Sequence, residues 1–168
     1  KSLVSTEMAR TIAEANGLKC FDTFTGFKFL AQKKDELEES GEGTVLMAFE
    51  ESNGYMFGSF VRDKDAVTAS LIITEMAAWY ATQGMTLYDA LQALYEKYGW
   101  FGEQTHNLVM PGLDGLEKMA ALMKSLRENP PAQIAGVDVV VRKDYKDGSV
   151  LCCATGEKST MELSGSNV

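Results

Sequence analysis

Short apolar runs alternate with stretches of helical periodicity through the first half of the chain, and this alternation limits the folds that it can adopt. The apolar runs are "SLVS" at 2–5, "LKCFDTF" at 18–24 and "TVLMAF" at 44–49. Between them, apolar residues recur at helical spacing, first around Met8 and Ile12 and then in "GFKFLAQKKDELEES". Two strand–helix units followed by a further strand predict a three-layer α/β/α domain with a small, mostly parallel sheet.

Two more helices are predicted after the third strand. Residues 64–82 are apolar on almost every side, with Leu71 and Trp79 among them, so we expect a helix that is packed on both flanks. Thr86 and Asp89 have the spacing of a capping box. This box opens an amphipathic helix, which ends at Gly99.

The pattern changes after Gly99. "THNLVM" at 105–110 predicts a strand, and Pro111-Gly112 precedes a helix that Asn129-Pro130-Pro131 stops. "VDVVVRKDY" at 137–145 predicts another strand, with "DGS" as a turn. We therefore divide the chain into a domain at 1–99 and an α+β unit at 100–168, with the boundary near residues 99–105. The second unit stops in the middle of a pattern, at "MELSGSNV", and is expected to be truncated.

Charge and cysteine content exclude several classes of protein. Sixteen basic and 24 acidic side chains give a formal charge of −8, which repels phosphate backbones and anionic lipid and argues against nucleic acid or a membrane as partner. The most apolar stretch, at 66–81, contains polar residues and falls short of a membrane span. Three cysteines imply no disulfide framework and fit a reducing cytoplasm. Since His106 is the only histidine, a multi-histidine metal site is excluded.

Polar residues follow each of the three predicted strands, where an open α/β sheet places its ligand crevice. They form the segments Ser5–Glu7, Thr23–Lys28 and Glu50–Gly54. Paired carboxylates with a serine suit the hydroxyl groups of a sugar, although "EES" is also typical of a solvated strand end. Arg62 and Lys64 stand at a helix start, where an anion such as phosphate would suit them. Alternatively, Asp63 and Asp65 cap that helix, and the two cations reach solvent or neutralise the acids.

Three segments in this order carry a resemblance to a known family. They are "TFTGFKFL", then "FEESNGYMFGSFVRDKDAVTASLIITEMAAWY", then "TLYDALQALYEKYG". Together they resemble the third domain of the α-D-phosphohexomutase superfamily, particularly bacterial phosphoglucomutases and phosphomannomutases. The later "PGLDGLEKMAALMKSLRENPPAQIAG" and "SGSNV" resemble the beginning of the fourth domain. The resemblance spans essentially the whole chain.

The resemblance implies a function and a set of substrate-binding residues. Family members interconvert hexose 1-phosphate and hexose 6-phosphate through a bisphosphate intermediate, with a phosphoserine, a Mg²⁺ site and a phosphate clamp in other domains. By resemblance, Glu50 and Ser52 contact ring hydroxyls, Thr25 and Gly26 form a turn beside the substrate, and Lys64 with Arg62 faces the phosphosugar. Lys28 holds a familiar motif position without an assigned role. Mg²⁺ and an activator of the glucose 1,6-bisphosphate type are expected in the complete enzyme and not in this chain.

Departures from the family pattern limit what this chain does alone. The serine is followed by Asn53, Gly54 and Tyr55 instead of the histidine of many phosphomannomutases, which leaves glucose, mannose, glucosamine and pentose phosphates open. No segment resembles the phosphoserine, metal or clamp motifs, so we expect an inactive piece of an enzyme with no catalytic residue of its own. The missing domains of the same polypeptide are its expected partners. The alternative is a non-catalytic protein-interaction module that uses the helices "KKDELEES" and "EKMAALMKSLRENPP".

Overall fold

The computed structural model describes residues 1–163, so the "SGSNV" motif lies outside the described residues. The chain forms two compact units, Lys1–Gln104 and a second unit from Thr105 onward. Unit 1 contains α1 (Met8–Ala15), α2 (Phe27–Glu39), β1 (Met47–Glu50), β2 (Gly54–Phe57), α3 (Ala66–Thr82) and α4 (Leu87–Tyr98). Unit 2 contains α5 (Gly115–Glu128), β3 (Gln133–Ile134), β4 (Val137–Asp138), β5 (Val141–Asp144), β6 (Ser149–Cys152) and β7 (Lys158–Thr160).

The mixed helices and strands agree with the predicted α/β class, but the expectation of a mostly parallel sheet is wrong for the strands that the structure assigns. β1 and β2 form an antiparallel hairpin in which Glu50 is opposite Gly54. Residues 54–57 turn back onto β1 because the connection between the two strands is only three residues long. Parallel pairing occurs in residues 1–163 as an isolated bridge between Ser2 and Thr23.

The core of unit 1 is small and lies between α2 and the hairpin. Phe27 and Leu30 of α2 pack with Ala48 and Met56, and Val61 covers their edge. Met56 is fully buried. Because strand side chains alternate between faces, Ala48 and Met56 point to the same side of the hairpin, which receives α2. This packing fixes the start of α2 beside the β1–β2 turn.

The long apolar helix α3 is less enclosed than the sequence suggests. Val67, Leu71 and Trp79 are exposed by 82%, 58% and 59%, and Ala69 is the buried residue of this fully described helix. The expectation of packing on both flanks is therefore wrong for the described structure. The apolar sequence predicted that a helix forms here but not how buried it is, because burial depends on which other segments pack against the helix.

The start and end of α4 confirm the local signals. The Thr86 side chain accepts from the Asp89 N–H, the Asp89 carboxylate accepts from the Thr86 N–H, and Gly99 follows the last turn. No helix among residues 1–163 is long and apolar enough to cross a membrane.

Unit 2 follows part of its predicted pattern. α5 begins three residues after Gly112 and ends at Glu128, directly before Asn129, as the sequence indicates. Residues 105–110 carry no strand, so that prediction is wrong, and the predicted strand 137–145 is divided into β4 and β5. β3 pairs with β4, and β5, β6 and β7 form a second antiparallel sheet.

Candidate functional site

A tight turn connects β1 to β2 and carries the predicted sugar-binding residues. Glu50 ends β1 and is 7% exposed, whereas Glu51, Ser52 and Asn53 of the turn are exposed. Asn53 has a φ of 61°, a left-handed conformation that asparagine adopts more readily than most residues. The turn therefore presents Ser52 to solvent while it holds Glu50 at its base.

Lys64 connects this turn to the beginning of α2. Its Nζ lies 3.0 Å from Oε1 of Glu50 and 4.8 Å from the centroid of the Phe27 ring. The segment that carries Lys64 is held to β2 because the Asp65 N–H donates to the Tyr55 carbonyl at 2.8 Å. The lysine side chain is 47% exposed, so one ammonium group contacts a buried carboxylate and an aromatic face and still reaches solvent.

Gly54 leaves the space that this ion pair occupies. A Cβ at position 54 would lie 2.8 Å from Cε of Lys64 and 2.9 Å from Oε1 of Glu50. These distances are shorter than van der Waals contact, so a larger residue would displace the pair. The glycine in "EESNGY" thus has a packing role in addition to its place in a turn.

Gly26 shapes the second predicted site segment. It precedes the first residue of α2 with φ 108° and ψ 127°, a conformation that side chains rarely allow. This geometry directs Phe27 into the core, where it is 5% exposed. Thr25, the residue before Gly26, remains exposed. The Thr25-Gly26 turn is therefore joined to Glu50 through Phe27 and Lys64.

The remaining predicted residues differ in their surroundings. Arg62 is 72% exposed and its Nε lies 3.1 Å from Asp35 on α2, whereas Lys64 contacts Glu50. Lys28 is exposed, and its Nζ lies 4.8 Å from the centroid of the Phe29 ring. The structure thus brings together Glu50, Lys64 and the residue after Gly26, and it pairs Arg62 with α2 instead.

Sequence reasoning missed a hydrogen-bonded cluster behind the turn. The fully buried Ser2 hydroxyl donates to Oε2 of Glu51 at 2.7 Å and lies 2.7 Å from the Ser5 hydroxyl. The paired carboxylates predict Glu51 as a sugar ligand beside Glu50, whereas the structure bonds Glu51 to Ser2. Ser5 was noted as a polar strand end, but nothing in the sequence pairs Ser2 with a residue 49 positions away.

The site's chemistry is that of hydrogen bonding and charge. Carboxylate, hydroxyl and ammonium groups at one end of the hairpin can accept from and donate to a polyhydroxylated ligand. Among residues 1–163, no group of three or more His, Cys, Asp or Glu side chains has the arrangement of a metal site.

The alternative interaction module predicts exposed apolar side chains on two helices, and the structure divides them. On the first helix, α2, Leu37 is buried, whereas on α5 Met123 and Leu126 are exposed by 40% and 41%. This hypothesis stays a prediction for α5.

Comparisons with known proteins identify the family. Residues 1–98 match the family model described as phosphoglucomutase/phosphomannomutase, alpha/beta/alpha domain III. The whole chain aligns at 34% identity with the phosphoglucomutase of Staphylococcus aureus strain N315 and at 33% with that of strain MRSA252. In each case the chain spans 30% of the relative's length. No solved structure shows a significant match. The chain belongs to the phosphoglucomutase/phosphomannomutase family, and residues 1–98 correspond to its domain III.

Proposed function

We propose that this chain supplies the sugar-binding part of a phosphohexomutase, an enzyme that interconverts hexose 1-phosphate and hexose 6-phosphate through a bisphosphate. The observation that supports this function best is the contact of Lys64 with both Glu50 and Phe27. It joins the Glu50–Gly54 turn to the Thr25-Gly26 turn, the two segments that the family resemblance assigns to the substrate. Since the chain spans 30% of its relatives' length, the proposal also includes the other domains of the enzyme, which lie outside this chain.

Each residue has a role that follows from its chemistry. The Glu50 carboxylate accepts hydrogen bonds from ring hydroxyls, and the Ser52 hydroxyl both donates and accepts. Thr25 and Gly26 border the sugar. Lys64 presents a cation to the phosphosugar from its position beside Glu50, and Arg62 extends the positive charge from its exposed position.

The division of labour between domains has a physical reason. A bisphosphate intermediate has to be presented in two orientations, so a sugar-binding turn serves both if it contacts hydroxyls that are placed similarly after reorientation. Orientation of the reacting group is then the contribution of this domain. The phosphoryl transfer itself needs a nucleophile and charge neutralisation, which we assign to the phosphoserine, the Mg²⁺ site and the phosphate clamp of the other domains.

Mg²⁺ has no fitting group of ligands among residues 1–163, so no step of this proposal passes through a metal held here. The same holds for the bisphosphate activator, which we assign to the complete enzyme. We further propose that the enzyme works in the cytoplasm, where Cys20, Cys152 and Cys153 would stay reduced.

The isolated chain is expected to be inactive and to bind phosphosugars at millimolar affinity or weaker. A few hydrogen bonds of roughly 0.5–1.5 kcal/mol each compete with an association cost of at least about 4 kcal/mol. Calorimetry with glucose 1-phosphate tests this expectation. Micromolar binding to the chain alone would contradict it.

The proposal is tested in the complete polypeptide with the variants Glu50→Gln and Ser52→Ala. Each should lower kcat/KM for both phosphosugars by roughly 5- to 150-fold, because a lost hydrogen bond to a buried polar partner costs about 1–3 kcal/mol. The control is Glu36→Gln on the exposed side of α2, which should keep parental kinetics. Parental kcat/KM in both test variants would refute the assignment.

A further inference from the structure

A cavity of about 610 Å³ in unit 1 has the walls of a slot for one β-strand. Two walls are the non-helical segments at 18–21 and 44–49, the second of which includes the start of β1, and the other two are the helices α1 and α2. Ile12 of α1 and Leu30 and Leu37 of α2 line the cavity, and Lys33 and Lys34 of α2 add two cations to its otherwise apolar helical walls. A space between two backbone edges and two helices is the place of a central strand in an α/β/α layer.

Residues 1–3 already run along the line of this slot. On one side, the Lys1 N–H donates to the Phe21 carbonyl at 2.7 Å, and the Thr23 N–H donates to the Lys1 carbonyl at 2.9 Å. On the other side, the Ser2 N–H donates to the Phe49 carbonyl at 3.2 Å. Successive residues that bond to opposite neighbours are typical of a strand paired on both edges. Residues 1–3 are therefore one end of such a strand.

The backbone of β1 offers further hydrogen-bonding groups to the slot. Gly58 N–H donates to the Leu46 carbonyl, which fixes the phase of the hairpin, so Ala48 bonds to β2 while Met47 and Phe49 direct their N–H and C=O groups to the other side. Apart from the Phe49 carbonyl, which accepts from Ser2, these groups bond to no other part of the backbone described for this chain and are left to water. A strand that continued residues 1–3 would supply their partners.

The amino group of Lys1 also favours a continuing chain. Lys1 and Ser2 are 7% and 0% exposed, and burial lowers the pKa of the Lys1 α-ammonium. A buried charge is costly unless it is fully paired. A peptide N–H would make the same bond to the Phe21 carbonyl without a charge.

We propose that the residues immediately preceding Lys1 in the complete polypeptide fill this slot as a continuation of the strand. The register of Ser2 opposite Thr23 places Lys1 opposite Asp22, so the four preceding residues lie opposite Phe21 back to Leu18. Backbone edges on both sides select an extended peptide over a small molecule. The inference does not depend on the proposed enzymatic function.

The first test is the reading frame upstream of Lys1. Because α1 and α2 cover both faces of the slot, the four residues encoded there should form a continuous apolar run that is rich in β-branched side chains. A proline among these four positions would overturn the proposal, because it would remove a ladder hydrogen bond.

The second test is residue-resolved amide hydrogen exchange in the complete polypeptide. The amides of Phe21, Met47 and Phe49 should exchange more than about tenfold more slowly than in the 168-residue chain that begins at Lys1. Ala48 is the internal control, since its amide bonds to β2 in both proteins.

Each outcome of the exchange experiment either supports or contradicts the proposal. Slow exchange of Phe21, Met47 and Phe49 in the complete polypeptide, with Ala48 also protected, supports the proposal. Fast exchange of these three amides beside a protected Ala48 contradicts it. If the 168-residue chain does not protect Ala48 and so fails to fold, the same comparison within the complete polypeptide still decides.

Discussion

Nζ of Lys64 lies 3.0 Å from Oε1 of Glu50, and the two side chains differ greatly in exposure, at 47% and 7%. Replacing Lys64 by methionine leaves a buried carboxylate without its cation. Breaking a fully buried ion pair would cost more, but Lys64 is half exposed and solvent weakens its interaction with Glu50. We therefore expect the free energy of unfolding to fall by about 1–2 kcal/mol. Urea denaturation measures it.

Arg62→Met is the matched control for this prediction. Arg62 pairs with Asp35 at 3.1 Å but is 72% exposed, and exposed pairs contribute about 0–1 kcal/mol. The double variant Lys64→Met/Glu50→Gln should recover part of the stability that Lys64→Met loses, because it removes the isolated charge. Equal losses for Lys64→Met and Arg62→Met would show that the Glu50 contact adds nothing.

Gly54→Ala should weaken both ligand binding and the fold. Its Cβ would lie 2.8 Å from Cε of Lys64, 2.9 Å from Oε1 of Glu50 and 3.0 Å from Cγ of Glu50, so both side chains have to move. In moving they separate the ion pair. We expect kcat/KM of the complete enzyme to fall by about tenfold or more, and the free energy of unfolding to fall by about 1–2 kcal/mol, as for Lys64→Met, because the same ion pair is lost. Unchanged kcat/KM would contradict the role given to Glu50 and Lys64.

The elements that the sequence predicts well are those with local signals. The capping box of Thr86 and Asp89 defines the start of α4, and Asn129 before two prolines defines the end of α5. The direction of strand pairing has no such local signal in this sequence. Asn53 and Gly54 turn the chain back into β2, and the same residues fit equally well into a ligand-binding loop.

The candidate site was predictable as a set of residues but not as an arrangement. Chemistry and family resemblance identify Glu50 and Lys64, yet neither indicates that they form an ion pair over the Phe27 ring. That contact depends on the packing of α2 against the hairpin. Arg62 shows why sequence alone does not give the arrangement. It is only two residues from Lys64, yet it pairs with Asp35 and not with Glu50.

The difference between core and helix surface gives a stability prediction for the 168-residue chain. Met56 is fully buried, so Met56→Ala should cost about 2–5 kcal/mol through lost contacts and a cavity. Val67 on α3 is 82% exposed, and Val67→Ala should change the free energy of unfolding by no more than about 0.5 kcal/mol. Thermal denaturation of both variants measures this contrast. A loss at Val67 as large as that at Met56 would show that α3 is covered in solution.

The capping box of α4 predicts a pH dependence with a definite sign. A hydrogen bond from the Thr86 hydroxyl, followed by one from the Thr86 N–H, lowers the pKa of Asp89 below its ordinary value. Since the folded pKa is the lower one, the carboxylate stabilises the fold above the ordinary aspartate pKa of about 3.9, and this contribution is lost as the pH falls through the folded value.

Thr86→Val removes the hydroxyl while it preserves the shape of the side chain, so the pKa of Asp89 should rise toward its ordinary value. An NMR titration of the Asp89 carboxyl carbon measures this change. Asp65 is the control, because its pKa is lowered by the side chain and the N–H of Thr68, at the start of α3, and it should titrate identically in both proteins. If Asp89 titrates at the same pH with threonine and with valine at position 86, the side-chain hydrogen bond does not hold the cap.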